Sequence, residues 1–280
     1  MIRKPAVAGI FYERNSDSLK KQIEWCFEHR LGPGKIPEKT LERREIKGAM
    51  VPHAGYQYSG PVAAHSYYKI FEDGFPETFV ILSPNHTGLG SGISTMLEGE
   101  WETPLGNVRI DEELTEKLVE DAGIIDLDAM AHVQEHSLEV QLPFLQYFNR
   151  DFEIVPVSMW MQDLESSYKI GKSIKKAAEE LGKDIVVIAS SDMTHYKPQS
   201  IAKENDSKVL DAINSLDEKL MIKRVLEMNV TMCGYGPVAT TIIASKEMGA
   251  QNAEILKYAT SGDTTGDESA VVGYASAVFW

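Results

Sequence analysis

Two kinds of hydrophobic pattern alternate along the chain. Short runs of consecutive apolar residues, such as TFVIL and IVVIA, are typical of strands buried on both faces of a sheet. Longer stretches such as DSLKKQIEWCFEHR place Leu19, Ile23 and Cys26 three or four positions apart, which predicts helices with one buried face. Strands are therefore predicted at residues 46–51, 78–83, 152–158, 185–190, 255–259 and 271–279.

Predicted helices fall between these strands, at residues 17–30, 60–71, 112–122, 138–148, 164–182, 201–213, 218–228 and 237–248. Segment 31–45 is rich in Gly, Pro and charge, which predicts a surface connection. Segment 92–110 alternates apolar and polar residues around Gly and Pro turns, which predicts an antiparallel excursion. The alternation of strand and helix favours a single α/β domain over residues 1–280, with a mixed central sheet and helices on both faces.

Composition and charge narrow the class of protein. The chain of 280 residues has 28 Lys and Arg against 42 Asp and Glu, a formal net charge of -14, which repels phosphate backbones and anionic membranes. No apolar run approaches the about 20 residues that span a bilayer. The two cysteines are too few for a disulfide framework, and the first residues lack the apolar core of a signal peptide. We therefore expect a cytoplasmic protein without nucleic-acid or membrane partners.

Two predicted strands end in the same short motif. Val-Pro-His-Ala-Gly places His53 after Pro52, and Ser-Pro-Asn-His-Thr-Gly places His86 after Pro84, with a glycine closing each turn. Ligands of open α/β sheets bind at the carboxyl ends of strands, where the two imidazoles can converge. A single histidine in such a loop is more often a partner for a neighbouring segment. Because the same arrangement of strand, Pro, His and Gly occurs twice, a shared role of both histidines as ligands is an equal alternative.

The third strand-end motif is Ser-Ser-Asp-Met-Thr-His-Tyr, which carries Asp192 and His195. If this turn is helical, the spacing of three brings both side chains to one side. Ordinary capping of a strand-to-helix junction accounts for Asp192 but not for His195. Since the unperturbed pKa of histidine is near 6.5, His195 is a candidate acid, base or ligand.

Two further segments contain residues that can carry chemistry. Cys233 lies in the glycine-rich bend Thr-Met-Cys-Gly-Tyr-Gly-Pro before a predicted helix, which favours either a reactive thiolate or a small buried hydrophobe. His132 and His136 are four residues apart, so a helix over both would place them on one face, as a two-histidine site needs. If the helix begins only after His136, His136 faces the cleft and His132 is structural. Ser261 and Asp263 are candidates for the cleft rim, although any loop uses these residue types.

Taken in order, the segments PAVAGIFY, VPHAGYQYSG, SPNHTG, EHSLEVQLPF, SSDMTHY and MCGYGP resemble the motif series of the Memo family. The resemblance covers nearly the whole chain and implies a fold similar to that of the class III extradiol dioxygenases. It also implies a metal cluster on His53, His86 and Cys233, with Asp192 and His195 beside it. Members of this family are described as binding iron or copper with redox consequences, and animal members as adaptors in signalling.

The implied ligand set departs from that of the dioxygenases, which hold Fe(II) with two histidines and a carboxylate. A thiolate from Cys233 in the third position makes the site softer and offers oxygen an easily oxidised sulfur, unless Asp192 takes that place. This difference argues against ring cleavage and favours a redox protein that binds iron(II) or copper.

Three functions are consistent with these residues. In the first, His53, His86 and Cys233 bind the metal, Asp192 binds it or orients a ligand, and His195 or His136 moves protons. In the second, Cys233 is a nucleophile assisted by His195 in a hydrolase-like site. In the third, the cleft is a non-enzymatic module that holds an unidentified small molecule or peptide.

Overall fold

The computed structural model describes residues 1–38 and 44–280. The strands are β1 (Ile2–Arg3), β2 (Gly48–Val51), β3 (Thr78–Pro84), β4 (Ile93–Thr95), β5 (Glu100–Thr103), β6 (Gly106–Ile110), β7 (Asp126–Leu127), β8 (Glu153–Met159), β9 (Ile185–Ser190), β10 (His195–Lys197), β11 (Ala253–Thr260) and β12 (Val271–Phe279). The α-helices are α1 (Ser16–Glu28), α2 (Tyr56–Asp73), α3 (Glu112–Ala122), α4 (Leu142–Phe148), α5 (Leu164–Leu181), α6 (Gln199–Asn214), α7 (Glu218–Glu227), α8 (Tyr235–Glu247) and α9 (Ser261–Thr265).

The predicted surface connection over 31–45 falls partly on residues 39–43, outside the described residues. None of the helices in the described ranges is long and apolar enough to cross a membrane.

The sheet is mixed, which confirms the predicted fold class. Its main path follows the order β1-β5-β6-β8-β3-β9-β2-β12-β10, with β4, β7 and β11 paired beside this path. Strands β8, β3, β9 and β2 run parallel at the centre, whereas β12 pairs antiparallel with β2 and β11. Strands β5 and β6 pair antiparallel, and so do β4 and β8, which confirms the predicted antiparallel excursion.

Helices cover both faces of the parallel strands because alternate residues of a strand point to opposite sides. Phe79 and Ile81 of β3 pack in one apolar cluster with α1, α2 and α4. Val80 and Leu82 pack on the other face with α3 and α5. Every residue of β2, β3 and β9 is buried, which explains why their sequences are continuously apolar.

Two helices begin about one turn away from the predicted residue. Helix α2 begins at Tyr56, a turn earlier than expected, directly after the extended backbone of Gly55. The helix predicted over 138–148 opens with a 3-10 turn, Glu139–Gln141, before α4. Pro143 has no N–H with which to bond the Glu139 carbonyl, so the Leu142 N–H bonds it instead in the tighter 3-10 pattern.

The segment after Asp192 is not helical, so the condition under which a spacing of three would bring Asp192 and His195 to one side is not met. His195 begins β10, which pairs antiparallel with β12. The His195 backbone N–H donates to Thr231 Oγ1 at 2.7 Å, and Tyr196 has a left-handed φ of 58°. Strand pairing and the Thr231 contact thus replace the local hydrogen bonds that a helical turn would need.

Helices α5 and α8 approach closely at Gly171, where a Cβ atom would lie 2.8 Å from Ile243 Cγ2 and 3.0 Å from the Thr240 carbonyl oxygen. We expect Gly171→Ala to lower the free energy of unfolding by about 1–2 kcal/mol, because overpacking outweighs the gain in helix propensity. Urea unfolding measures this change. The exposed neighbour Lys172 supplies the control Lys172→Ala. An equal loss in both variants would contradict a packing cause.

Candidate metal centre

Three imidazoles meet at the carboxyl edge of the sheet. His53 follows β2 and His86 follows β3, and these strands flank β9 in parallel. His136 comes from the irregular segment that precedes the 3-10 turn. One nitrogen of each ring lies within 4.8 Å of a nitrogen of the other two. The sequence had suggested His53 and His86 as ligands and His136 as a proton carrier, and the structure places all three side by side.

A buried hydrogen-bond chain determines which nitrogen of His53 faces the cleft. The Ser190 hydroxyl lies 2.7 Å from the Ser137 carbonyl, which can only accept, so Ser190 donates its proton there. Ser190 Oγ therefore accepts from His53 Nδ1, which is 2.8 Å away, and from Gln141 Nε2 at 2.9 Å. Nε2 of His53 keeps its lone pair and faces Cys233, with Sγ at 3.2 Å. A metal ligand requires this neutral form of histidine.

Burial favours the neutral form of two of these imidazoles, His53 and His136. Burial, and then the neighbouring histidines, lower the pKa of His53 well below its ordinary value. Burial also lowers the pKa of His136 to about 4, although the charge of Glu135 opposes the shift. Both rings are therefore uncharged at neutral pH, and each has a lone pair available.

Glu135, which the sequence reasoning did not select, lies behind His86. Its fully buried carboxylate accepts from His86 Nδ1 at 2.9 Å and from the His86 backbone N–H. Ser137 adds two more donors, and His136 Nδ1 lies 3.5 Å away. Burial alone would raise the pKa of Glu135, but the hydrogen bond and charge of His86 lower it to about 2. The only sequence signal for this role is an acid directly before His136, which many surface loops also contain.

Asp192 and Cys233 lie on another side of His53. Asp192 Oδ1 accepts from the His53 backbone N–H at 2.8 Å, and Oδ2 lies 3.9 Å from His53 Nε2. Cys233 lies in the bend before α8, and its Sγ accepts from the Asp192 backbone N–H at 3.2 Å. The same nitrogen of His53 therefore has a sulfur and a carboxylate nearby.

Of the two alternatives left open for Cys233, a reactive thiolate and a small buried group, its surroundings favour the protonated thiol. Burial, and then the Asp192 carboxylate, raise the pKa of Cys233 well above its ordinary value. Burial likewise raises the pKa of Asp192 to about 6. In the described ranges, no Lys or Arg forms an ion pair or hydrogen bond with either side chain. A cation bound between these groups would compensate their charge.

His195 lies beside the three imidazoles without belonging to their group. Its Nδ1 is 2.8 Å from the Thr231 carbonyl oxygen, so Nδ1 carries the proton and Nε2 keeps a lone pair. The ring is half-buried, and its proximity opposes the effect of burial on the pKa of Asp192. This arrangement suits a role for His195 as a proton acceptor more than as a direct metal ligand.

Three other residues singled out in the sequence have structural contacts. His132 is fully buried against the Trp101 ring and does not share a helix with His136. Ser261 Oγ accepts a backbone N–H of β12. Asp263 closes a capping box at the start of α9. Both side chains therefore have the local contacts that loop residues of these types commonly make, and their place at the cleft rim stays a prediction.

The donor types fit a transition metal. Imidazole nitrogen and thiolate sulfur bind such ions at about 2.0–2.3 Å, which places adjacent donor atoms roughly 3–4 Å apart. The 3.2 Å between Cys233 Sγ and His53 Nε2 lies in this range. Imidazole suits iron, copper and zinc, and thiolate favours the softer of these ions.

The protein has an open α/β sheet with imidazole, thiol and carboxylate groups at its carboxyl edge, which is where ligands of such sheets bind. The family model described as Memo-like protein matches residues 3–278. The MEMO1 family proteins of Methanothermobacter thermautotrophicus and Methanopyrus kandleri are 58% and 55% identical to the chain, over 98% and 100% of its length and 99% of theirs. A MEMO1 family protein of Methanobrevibacter smithii is 51% identical over 100% of both chains. The chain therefore belongs to the Memo family.

A solved structure shares the fold. An uncharacterised protein of Escherichia coli K12 matches with a TM-score of 0.55 and 15% identity, over 84% of this chain and 100% of that chain. At this identity the likeness concerns the fold alone, and it agrees with an α/β architecture.

Proposed function

We propose that the chain is a metal-binding protein that holds iron(II) or copper in this cleft. The observation that carries the proposal is the group of imidazoles whose ligand-capable atoms lie within 4.8 Å of one another. The family resemblance assigns the metal to His53, His86 and Cys233, and the geometry adds His136. Asp192, 3.9 Å from His53 Nε2, binds the ion or orients its ligands.

The donor types support a redox role. Thiolate and imidazole ligands suit copper(I) and iron(II), and either ion, when bound, supplies one-electron chemistry. His195 accepts protons at Nε2, because its Nδ1–H is committed to the Thr231 carbonyl. Ring cleavage is disfavoured because the Cys233 sulfur is itself easily oxidised.

Metal titration of anaerobically purified protein tests the proposal. We expect one ion per chain, with binding weakened in His53→Ala and Cys233→Ser by more than the about 10–100-fold that outer-shell changes cause. His136→Ala weakens binding only if His136 is a ligand and not solely a proton carrier. His29→Ala, just beyond α1, is the control. Unchanged metal content in both the His53 and the Cys233 variants would refute the ligand assignment.

The contact between Cys233 and His53 also supports a second candidate, a cysteine nucleophile. The imidazole that contacts the sulfur is His53 at 3.2 Å, and not His195 as the sequence had suggested. The raised pKa of Cys233 opposes this candidate, because the thiolate is the nucleophile. Labelling of metal-free protein with an electrophile tests it: a nucleophilic Cys233 reacts faster than the fully buried Cys26. Slow labelling that a chelator does not change excludes it.

A further inference from the structure

The Glu135 carboxylate is surrounded by hydrogen-bond donors. Oε1 accepts from His86 Nδ1 at 2.9 Å, from the Ser137 backbone N–H at 2.9 Å and from the Ser137 hydroxyl at 2.7 Å. Oε2 accepts from the His86 backbone N–H. The same carboxylate lies 3.5 Å from His136 Nδ1. One buried group therefore contacts two of the three imidazoles from behind.

We propose that Glu135 is a positioning residue of the cleft. It holds the His86 ring, and with it the His136 ring, so that Nε2 of each ring is turned toward His53. This inference rests on the proposed metal-binding function and adds a residue to it. Because a carboxylate has no proton to donate when ionised, His86 Nδ1 must carry the proton in this contact. The lone pair of His86 is thereby assigned to Nε2, the nitrogen that remains for a metal.

The position requires a carboxylate and not merely a polar side chain. Both oxygens of Glu135 accept from donors: Oε1 from His86 Nδ1 and Ser137, and Oε2 from the His86 backbone N–H. Glutamine would turn its amide N–H toward the His86 backbone N–H in one orientation and toward His86 Nδ1 in the other, so it no longer fixes one tautomer of His86. His53 is supported differently, by the neutral hydroxyl of Ser190. Loss of Glu135 should therefore change the orientation of the His86 and His136 rings. The hydrogen bond between His53 and Ser190 should remain.

Glu139 offers a matched control for a purely structural role. It is also a fully buried glutamate, and it accepts from the backbone N–H groups of Ala6 and Val7 and pairs with Arg3. In the described part of the chain, no hydrogen bond joins its side chain to a histidine ring. If Glu135 only fastened the loop, Glu135→Gln and Glu139→Gln would have the same consequences.

Two measurements on the full chain test the proposal. Long-range ¹H–¹⁵N spectra of metal-free protein report the tautomer of His86, and competition with a chelating dye gives the affinity for zinc(II), a redox-silent probe. In Glu135→Gln we expect His86 to lose its fixed Nδ1–H tautomer and zinc affinity to fall by about 10–100-fold. In Glu139→Gln we expect the tautomer and the affinity of the wild type, even if the fold is less stable.

A folded Glu135→Gln protein with wild-type tautomer and affinity would overturn the proposal, and so would equal losses in Glu139→Gln. If Glu135→Gln does not fold, Glu135→Asp replaces it, because aspartate keeps the charge and accepts on both oxygens. This variant should retain the Nδ1–H tautomer with an intermediate affinity, and loss of the tautomer there would contradict the proposal. Failure of the wild type to bind metal would refute the metal function alone, since the spectra of metal-free protein test the role of Glu135 independently.

Discussion

Replacing Arg3 with Met is expected to lower the free energy of unfolding by about 3–5 kcal/mol. The Arg3 guanidinium is buried, pairs with Glu139 and lies 4.5 Å from the centre of the Trp101 ring. Its Nε and Nη2 atoms donate to the carbonyls of His132 and Glu135. Without Arg3, Glu139 remains as a buried charge with no cationic partner, which is the costly outcome for a broken buried pair.

Urea unfolding measures this loss, and Lys4→Met is the control because the pair of Lys4 with Glu102 is exposed. The double variant Arg3→Met, Glu139→Gln should recover part of the stability, since it removes the unpaired charge together with its partner. A loss in Arg3→Met no greater than in Lys4→Met would contradict a buried ion pair as the anchor of the first strand.

The strand ends were predictable because two local signals agree there. The predicted strands, each built on an apolar run, end at Val51, Ser83 and Ser190, and each is followed within three residues by a group that can bind a metal. Parallel pairing of β2, β9 and β3 then brings these ends to one edge of the sheet. Strand pairing is non-local. However, a continuously apolar run must be buried on both faces, and in an α/β fold such strands lie at the centre of the sheet.

The segment around His136 was less predictable because distant residues hold it. Arg3 contacts this segment through Glu135 and Glu139, more than 130 residues away along the chain. No periodic pattern marks such contacts, so the sequence suggested a cleft position for His136 but did not reveal that its ring meets those of His53 and His86. The supporting role of Glu135 was missed for the same reason.

The protonation state of Cys233 depended on the tertiary environment. The sequence showed a bend before a helix, a position that stabilises a thiolate when the sulfur faces the helix start. In the structure the sulfur instead faces the His53 imidazole and the Asp192 backbone N–H, with the Asp192 carboxylate also near. Burial and the Asp192 carboxylate raise the pKa of the thiol, and only the folded chain brings these groups around the sulfur.

Replacing His132 with Leu is expected to make the protein less sensitive to acid. Burial, and then the charge of Arg3, lower the pKa of His132 from 6.5 to about 4. Between these values the unfolded chain binds a proton that the folded chain does not, so the free energy of unfolding falls as the pH falls. The shift corresponds to about 3 kcal/mol of stability, fully present above pH 6.5 and lost as the pH falls through about 4.

Leucine suits the position of His132 because neither ring nitrogen makes a hydrogen bond within the described residues, although the Ser94 backbone lies close enough to oppose the pKa shift. An apolar side chain therefore leaves no new donor or acceptor unpaired. Urea unfolding at about pH 7.5 and about pH 5 measures the effect: the loss of stability between them should be smaller in the variant by about 2 kcal/mol. His29→Leu is the control, because His29 is half-buried at the end of α1 and should change this loss less. An unchanged loss in His132→Leu would show that another group carries the acid sensitivity.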